Sequence, residues 1–480
     1  MFRPALTVAA FLSLTSAIDL TEAAESSRAD GLTAALQPVA QIQRAAAISR
    51  WSYDRLADLT DLVGPRLSGS RGADAAVEQL AAALRQQHLE VRLEPVRVSH
   101  WERGVERAEL VGYRGRPDRI TQHIALTALG SSGATPEGGL TADILLVHDF
   151  DELARRAAEV PGHIVLFDVP FSMGLVAHGQ AGSAYRQNIA YRVAGPSRAA
   201  ELGAVATLVR SLGSADFRLP HTGVTRFKEG QAAIPAAAVS SEDALLIERL
   251  AARGAPVSMH LTLTPRVLPD VDTYNVVADI PGTDPKAGVV LVSGHVDAWD
   301  LGQGAIDDGA GVIAALGAVQ IIHELGLHPR RTIRFVGWMN EENGSRGEEA
   351  YVRQHAAELP MHVAAIESDA GAGHLVGLIT NAPAAATPML EPLMAALAPA
   401  GAGVLEQVIY PVGSDLEGLE KAGVPAFEPK VDVTHYFDYH HTAADTLDKV
   451  EVTDLQAQVG GMAALAWFLA NTDRPIVRLP

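Results

Sequence analysis

Two hydrophobic periods alternate along the second half of the chain. Short apolar runs typical of buried strands are each followed by a longer segment whose apolar residues recur at helical spacing. The predicted strands lie at 289–293, 332–338, 362–366, 406–410 and 424–427, and the predicted helices at 309–325, 348–355, 388–397, 415–422 and 452–470. This alternation predicts an α/β fold with a mixed, mostly parallel sheet and helices on both faces. We therefore expect functional side chains on the loops that follow the strands.

The first hundred residues extend the same domain. Helical spacing predicts helices over 41–63 and 73–87, and a strand-like alternation follows at 89–98. The Gly/Pro/Ser-rich segment GPRLSGS at 64–70 predicts a loop between the two helices.

The pattern changes between about residues 106 and 270. Short strand-like runs flank short helices there, which indicates a smaller β-rich inserted domain with its own core. The main domain is then discontinuous and consists of 25–105 and 271–480. No cluster of acid, base or metal-ligand side chains stands out in the insertion. We therefore expect structural roles for three of its histidines. These are His148, His221 and His260.

The N-terminus has the pattern of a secretory signal peptide. Arg3 precedes an apolar run at 5–18, and small residues follow as far as Ala24. The run is short for a membrane span, and no later segment is expected to form a membrane helix. We expect removal of residues 1–24 to leave a secreted or periplasmic protein without membrane attachment; a retained N-terminal anchor is the alternative.

Composition restricts the possible partners. The 480 residues include 57 acidic and 38 basic side chains, and the formal charge of -19 without a basic run argues against a nucleic-acid partner. The length suggests two domains. No cysteine is present, so disulfides and thiolate metal ligands are excluded. Any metal must be bound by histidine and carboxylate groups.

Carboxylate and imidazole groups follow several predicted strands. In an extended segment residues two apart point the same way, so the Asp297 carboxylate is expected to accept a hydrogen bond from the His295 ring, as happens beside metal-binding histidines. Further groups of this kind are Asp307, Asp308, Glu341, Glu342, Asp369, His440 and His441. Each one alone is also explained as a helix N-cap or a surface acid. Their recurrence at one edge of a sheet predicts a functional site.

Two imidazoles and three carboxylates among them suit a pair of zinc ions in a protein without thiolates. They are His295, Asp307, Glu342, Asp369 and His441. A carboxylate bridging two metals about 3.5 to 4 Å apart would let them share a water, lower its pKa and clamp a substrate carbonyl. Since Glu341 and Glu342 are adjacent, they cannot face the same way, and one can bind metal while the other acts as general base.

Five motifs resemble those of a known family. GHVDAWD, AIDDGAG, NEENG, ESDAG and HHTAADT are similar to the motifs of co-catalytic di-zinc exopeptidases, which include secreted aminopeptidases and glutamate carboxypeptidases. The likeness continues in GPRLSGS, SHWERG and LPHTGV and covers nearly the whole mature chain. It implies one zinc on His295 and Asp369, a second on Glu342 and His441, Asp307 as the bridge, Glu341 as the base and Asp297 as the group that orients His295. It also implies that 106–270 is a protease-associated domain, that the Asp307–Asp308 peptide is cis, and that the protein is a homodimer.

One position departs from many aminopeptidases of that family. They have a tyrosine, which helps to stabilise the oxyanion, directly before the last histidine ligand, where this chain has His440. His440 is therefore a candidate for oxyanion or substrate contact, and also an alternative metal ligand. His441 is preferred as the ligand because it directly precedes the Thr-x-x-Asp segment, as the ligand of the family does.

The expected function is hydrolysis of the peptide bond in dipeptides or short peptides. A hydroxide that bridges two zinc ions would attack the carbonyl, and Glu341 would carry the proton to the leaving amine. The first alternative is a zinc aminopeptidase of broader specificity that acts on longer chains. The second is a receptor-like binding protein without catalysis, which the presence of all five ligands and the base disfavours.

Overall fold

The computed structural model describes residues 32–474 and 476–479, so the predicted signal peptide lies outside the described residues. After a helical segment at 32–36, the α-helices are α1 (Val39–Ile48), α2 (Trp51–Asp58), α3 (Arg71–Gln86), α4 (Phe150–Arg155), α5 (Met173–Ala177), α6 (Ala181–Val193), α7 (Gly195–Glu201), α8 (Ser241–Ala251), α9 (Ala310–Glu324), α10 (Arg346–Gln354), α11 (Thr387–Leu397), α12 (Glu417–Lys421), α13 (Tyr436–Tyr439) and α14 (Val452–Asn471).

The strands form two sheets. They are β1 (Val91–Glu102), β2 (Glu106–Gly112), β3 (Gln122–His123), β4 (Leu126–Ala128), β5 (Leu140–Val147), β6 (Ile164–Phe167), β7 (Ala206–Arg210), β8 (Ala236–Val239), β9 (Ser258–Leu263), β10 (Arg266–Ile280), β11 (Val289–His295), β12 (Thr332–Trp338), β13 (His362–Glu367), β14 (Leu375–Thr380), β15 (Val404–Gln407) and β16 (Ala426–Val431).

The first sheet has a parallel centre and antiparallel flanks. Its strand order is β1-β10-β12-β11-β13-β16-β14-β15. The central strands β12, β11, β13 and β16 are parallel to one another, whereas β1–β10, β10–β12 and β14–β16 are antiparallel pairs. The edge pair β14–β15 is again parallel. The carboxyl ends of four central strands therefore meet at one edge of the sheet.

The strand predictions failed at the flank of this sheet. Strand β14 was not predicted, because the alternating pattern expects a helix after each strand, whereas β14 follows β13 without one and pairs antiparallel with β16. The predicted strand 406–410 ends at Gln407, and the fully exposed Ile409 lies in the loop beyond it. The predicted helix 41–63 is divided into α1, α2 and a π-helical turn at Leu59–Val63, with the first break at Ser49 and Arg50.

Residues 106–263 form the second sheet, in the order β3-β2-β9-β5-β6-β7-β8-β4. The chain leaves the first sheet after β1 and returns to it at β10. These two strands pair with each other, so both ends of the insertion lie at the same edge of the first sheet. The expected boundary at residue 270 falls inside β10. Helices α5 and α6, which the hydrophobic pattern did not predict, also belong to this part of the chain.

The helical core beneath the first sheet is tightly packed. Helices α9 and α14 contact each other along buried apolar faces. At Gly317 of α9 a Cβ atom would lie 2.2 Å from the Ser52 hydroxyl, so glycine is required for this close approach to α2. The segment Ala305–Glu324 is long and apolar enough to cross a membrane, contrary to the sequence-based expectation, and it is fully buried inside the protein.

An arginine clamp joins the two sheets near the metal-site edge. The Arg103 guanidinium forms an ion pair with Asp300 and also donates to the carbonyl of Ala128 at 2.7 Å. Beside it, the Trp101 and Trp299 rings meet edge to face with centroids 6.5 Å apart. Because Asp300 lies only five residues after His295, this contact fixes the second sheet next to the strand that carries the predicted site.

Candidate metal centre

The five predicted metal-binding residues converge at the carboxyl edge of the first sheet. His295 ends β11, the loop after β12 carries Glu342, and Asp369 follows β13. Asp307 lies just before α9, and His441 follows α13. Four of them are buried and Asp369 is half-buried. Adjacent parallel strands deliver three of these side chains to the same place, which is why residues far apart in sequence meet here.

The first half of the centre is formed around His295. Its Nε2 atom lies 3.3 Å from Asp307 Oδ1 and 3.4 Å from Asp369 Oδ1. Its Nδ1 atom donates to the main-chain carbonyl of Asp297 at 2.8 Å, which leaves Nε2 free to bind a metal. Ser414 donates to Asp369 Oδ2 at 2.6 Å and so orients that carboxylate.

The second half is formed around His441. Its Nε2 atom lies 3.2 Å from Asp307 Oδ2 and 3.0 Å from Glu342 Oε2. Its Nδ1 atom donates to the Thr222 carbonyl at 3.3 Å, again leaving Nε2 directed at the carboxylates. The other Glu342 oxygen accepts the main-chain N–H of Trp299 at 3.1 Å. The two oxygens of Asp307 therefore face two different histidine–carboxylate groups.

Asp297 differs from the prediction. Its Oδ1 atom is 4.0 Å from His295 Nδ1, so the ring is held by the main-chain carbonyl of Asp297 rather than by the carboxylate. The reason is that β11 ends at His295, and the chain turns before residues two apart can share a face. The carboxylate instead accepts the N–H groups of Asn340 at 2.7 Å and Glu341 at 3.1 Å. Asp297 thus orders the loop that carries Glu341 and Glu342.

Glu341 and Glu342 point to different surroundings. Glu342 is buried beside His441, whereas Glu341 is half-buried on the wall of a cavity. Burial together with the nearby charges of Asp369 and Asp307 raises the pKa of Glu341 to about 7. Burial and the charge of Asp307 raise the pKa of Glu342 to about 8. Because these carboxylates lie close together, ionisation of one disfavours ionisation of the others.

The donor set of the centre fits zinc. Burial opposes protonation of His295, yet its contacts with Asp307 and Asp369 raise its pKa well above the ordinary value. His441 behaves in the same way beside Glu342 and Asp307. The cluster therefore attracts positive charge at both histidines, and Asp307 Oδ2 has no hydrogen-bond partner among the described residues. Two imidazole nitrogens and three carboxylates, all without thiolate, match the ligands that zinc prefers.

His440 contacts the centre but has a different neighbour. Its Nε2 atom is 3.4 Å from Asp307 Oδ2, and its Nδ1 atom forms a 2.9 Å hydrogen bond with His221 Nε2. Burial and the adjacent His441 hold the pKa of His440 well below its ordinary range. The ring stacks on His441 with centroids 3.7 Å apart and lines the cavity. A neutral ring at this place is a suitable hydrogen-bond donor to a substrate oxygen.

His221 was expected to have a purely structural role, yet it lies at the centre. It is fully buried and comes from the part of the chain that contains the second sheet. The next residue, Thr222, donates its N–H to the His441 carbonyl at 2.9 Å and accepts from the His441 ring. The histidine and glycine of the irregular segment LPHTGV were the only available signal, since no periodicity marks this loop.

Two further buried groups shape the loops around the metal centre. Asp445 accepts the N–H groups of Ala305, Ile306 and Asp307 through its carboxylate. Arg66, from the predicted GPRLSGS loop, donates to the carbonyls of Val296, Gln303 and Gly304 at 2.6 to 2.7 Å. Neither was predicted as a supporting residue from the residue pattern. The peptide bond between Asp307 and Asp308 is cis, as the resemblance implied.

The sequence model of peptidase family M28 matches residues 275–466, the part of the chain that carries all five candidate ligands. Carboxypeptidase Q of Homo sapiens is 37% identical to this chain over 428 residues, which cover 89% of this chain and 87% of that protein. The chain belongs to peptidase family M28. As a member of this family it is a zinc metallopeptidase, and it is similar to carboxypeptidase Q over almost its whole length.

Solved structures agree with this assignment. The peptidase M28 precursor from Shewanella amazonensis is 35% identical, with a TM-score of 0.86, and the match covers 93% of this chain and 99% of that chain. The zinc aminopeptidase of Bacillus subtilis has a TM-score of 0.61 at 19% identity, covering 89% of this chain and 97% of that chain, and shows likeness of fold alone.

A cavity of about 970 Å³ opens onto the metal centre. Its walls come from the two parts of the chain that contain the two sheets. Helix α6 supplies Tyr185, Arg186 and Arg192 on one side, and β16 supplies Glu428 and Lys430 on the other. The Arg186 guanidinium lies 5.1 Å from the centre of the Tyr410 ring, so these two side chains approach each other across the two walls. Such a volume is in the usual range for small-molecule sites.

Proposed function

We propose that this metallopeptidase binds two zinc ions and hydrolyses the peptide bond of dipeptides or short peptides outside the cytoplasm. The observation that carries the proposal is the position of Asp307, whose two oxygens lie 3.3 and 3.2 Å from the Nε2 atoms of His295 and His441. A carboxylate with one oxygen beside each of these two histidines is the arrangement expected of a ligand that bridges two metal ions. The secretory pattern at 1–24 supports export.

Each ligand has a defined place in this proposal. His295 and Asp369 would hold one zinc, Glu342 and His441 the other, and Asp307 would contact both. When bound, the zinc pair supplies positive charge that polarises a carbonyl and lowers the pKa of water. The main-chain carbonyls of Asp297 and Thr222 would fix the two histidine rings, because each accepts the Nδ1 proton.

Glu341 is the proposed general base. Its carboxylate lies on the cavity wall and makes no hydrogen bond to another group within the described part of the chain, so it is free to accept a proton. It would take a proton from the attacking water and give it to the leaving amine. His440 would donate a hydrogen bond from Nε2 to the developing oxyanion, with His221 fixing its tautomer through Nδ1.

The proposed restriction to short substrates is supported by the cavity walls and by the relatives. Carboxypeptidase Q is a carboxypeptidase by name, and the similarity to it extends through the second sheet as well as the first. We propose that 106–270 is a protease-associated domain that closes one side of the cleft and restricts the enzyme to short peptides. A homodimer, as the resemblance implies, is part of the same proposal.

Replacement of Glu341 by glutamine tests the mechanism. Because the change removes the base and leaves the ligands in place, kcat on a dipeptide should fall about 100-fold or more with zinc content unchanged. Glu349→Gln, at an exposed glutamate of the following helix, is the matched control. Near-normal turnover of zinc-loaded Glu341→Gln would refute the assignment.

Two further measurements separate the alternatives. A peptide series of two to eight residues should show the highest kcat/KM for the dipeptide; a broad aminopeptidase would cleave the longer members equally well. Metal analysis should find two zinc ions per chain. Absence of zinc from protein prepared without chelator would favour a binding protein instead.

A further inference from the structure

Glu428 is a half-buried glutamate on the wall of the cavity. It belongs to β16, and the preceding residue of that strand, Phe427, is fully buried in the helical core. Because successive side chains of a strand point to opposite faces of the sheet, Glu428 projects away from that core and towards the cavity. No step of the mechanism proposed above uses this side chain.

The carboxylate of Glu428 has no cation beside it. Within residues 32–474 and 476–479, no lysine, arginine or histidine nitrogen lies within 4.0 Å of its oxygens, and no group donates a hydrogen bond to them. Burial, and then the charge of Asp369, raise the pKa of Glu428 to about 8. A carboxylate that is removed from water without a counter-charge is unfavourable. A cation that enters through the cavity would supply the missing charge.

The nearby cations have other partners. Lys430, two residues further along β16, forms an ion pair with Glu406 of β15. On β14, which lies between these two strands, the residue opposite Lys430 is Gly377, which leaves room for the lysine side chain to cross the strand. On the other wall, the Arg186 guanidinium lies 5.1 Å from the centre of the Tyr410 ring. The unpaired carboxylate therefore remains open to a group of the substrate.

The surroundings of Glu428 are apolar. Ile379 of β14 is opposite Glu428 in the register and lines the cavity beside it. Val412, in the loop after β15, lines the same cavity and belongs to the apolar cluster against which Ile379 packs. A substrate group that fits this place combines an aliphatic stem with a cationic end. Lysine and arginine side chains have this form.

We propose that Glu428 selects dipeptides that contain lysine or arginine, because its carboxylate pairs with the ammonium or guanidinium group of that side chain. The inference rests on the proposed peptidase function and names a specificity-determining residue of the same site. Ile379 and Val412 contact the aliphatic stem of the bound side chain. A neutral side chain of the same length makes these apolar contacts but leaves the carboxylate unpaired.

The experiment compares lysine with norleucine, which has the same carbon chain without the ammonium group, at each position of a dipeptide whose other residue is alanine. At about pH 9 Glu428 is mostly ionised and the lysine side chain is still charged. At one of the two positions the wild-type kcat/KM should be about 5- to 50-fold higher for lysine, mainly through a lower KM, as expected for a charge-assisted hydrogen bond. Glu428→Gln should bring this ratio close to one. Glu391→Gln, at an exposed glutamate of α11, should retain it.

Charge reversal separates recognition from a structural role. Glu428→Lys should favour glutamate over glutamine at the position where the wild type favours lysine, and Glu428→Gln decides alone if this variant does not fold. A wild-type ratio near one at both positions would overturn the proposal, and so would an unchanged ratio in Glu428→Gln. Both members of each pair carry the same α-amine, so a ratio near one is also the result expected if Glu428 binds that amine instead.

Zinc content is measured for every variant. If the zinc-loaded wild type cleaves none of the dipeptides, the proposed peptidase function fails together with this inference. Cleavage of the lysine and norleucine dipeptides at equal rates leaves that function standing and overturns only the role of Glu428.

Discussion

Replacement of Asp445 by asparagine should weaken zinc binding, although Asp445 is not a proposed ligand. Its Oδ1 atom accepts the N–H groups of Ala305 and Ile306 at 2.7 and 2.8 Å, and its Oδ2 atom accepts the N–H of Asp307 at 3.2 Å. Asparagine has only one acceptor oxygen. If that oxygen keeps the two shorter bonds, its NH2 group faces the Asp307 N–H, and two donors then oppose each other at the bridging residue.

The expected size of the effect follows from these contacts. A hydrogen bond to a charged group contributes about 1.5 to 3 kcal/mol. Asp445 is 4% exposed, so water cannot replace the lost bond. Part of the cost lowers the stability of the metal-free protein, and the rest appears as misplacement of Asp307 in the metal-bound state. Since about 1.4 kcal/mol corresponds to a factor of ten, we expect zinc affinity to fall about 10- to 100-fold, as is typical for groups behind a metal ligand.

Competition with a chromophoric chelator measures this affinity directly. The matched control is Asp448→Asn in the same loop, where the side chain is 71% exposed. Thermal unfolding of the metal-free variants separates loss of stability from loss of affinity. A zinc affinity of Asp445→Asn within twofold of the wild type would refute the reasoning, and so would an equal loss in the Asp448→Asn control.

Three further predictions concern metal removal, packing and pH. A chelator should lower the Tm of the wild type, because a ligand at a thousand times its Kd stabilises the native state by about 4 kcal/mol. The Tm of Glu342→Gln should fall much less when the chelator is added. An equal fall in both proteins would contradict the ligand assignment. Gly317→Ala should lower the free energy of unfolding, measured in urea, by about 1 to 3 kcal/mol despite the helix propensity of alanine, since the new methyl group meets the Ser52 hydroxyl. Adding Ser52→Ala should restore most of the lost stability. No restoration would argue against this contact. The pKa of His355 is raised by the hydrogen bonds that its ring donates to Glu94 and then to Glu358. Its stabilising contribution is therefore complete below the unfolded pKa of about 6.5 and is lost as pH rises through the folded pKa. His355→Gln should therefore lower the Tm more near pH 5.5 than near pH 9, and equal losses would exclude this explanation.

The positions that sequence could predict are those governed by local rules. Parallel strands end at one edge of a sheet, so the groups after β11, β12 and β13 were expected to meet, and the structure brings them together. A second local rule, that residues two apart in an extended segment point the same way, failed for Asp297, because it assumes that the strand continues beyond His295. One residue at the end of an element decides which atom of Asp297 contacts the ring. Element ends are also the least regular parts of a pattern, and periodicity does not fix them.

The residues that sequence could not predict depend on how the two sheets pack. His221 is separated by 219 positions from His440, to which it is hydrogen-bonded. Arg66 binds carbonyls about 230 residues away, from a segment whose composition indicates only a loop. No hydrophobic period marks either residue, because each acts through one polar contact rather than a buried apolar face. Such contacts are determined by tertiary packing alone.

The second sheet therefore contributes more than a wall of the substrate cavity. The N–H of Thr222 binds the His441 carbonyl at 2.9 Å, and the His441 ring donates back to the Thr222 carbonyl. The same carbonyl also accepts from Arg192 at 3.2 Å. One short segment of the chain thus orients a proposed metal ligand and holds Arg192, a buried arginine on the cavity wall. Since both contacts depend on the same carbonyl, a shift of this segment would move the proposed metal ligand and the arginine of the cavity wall together.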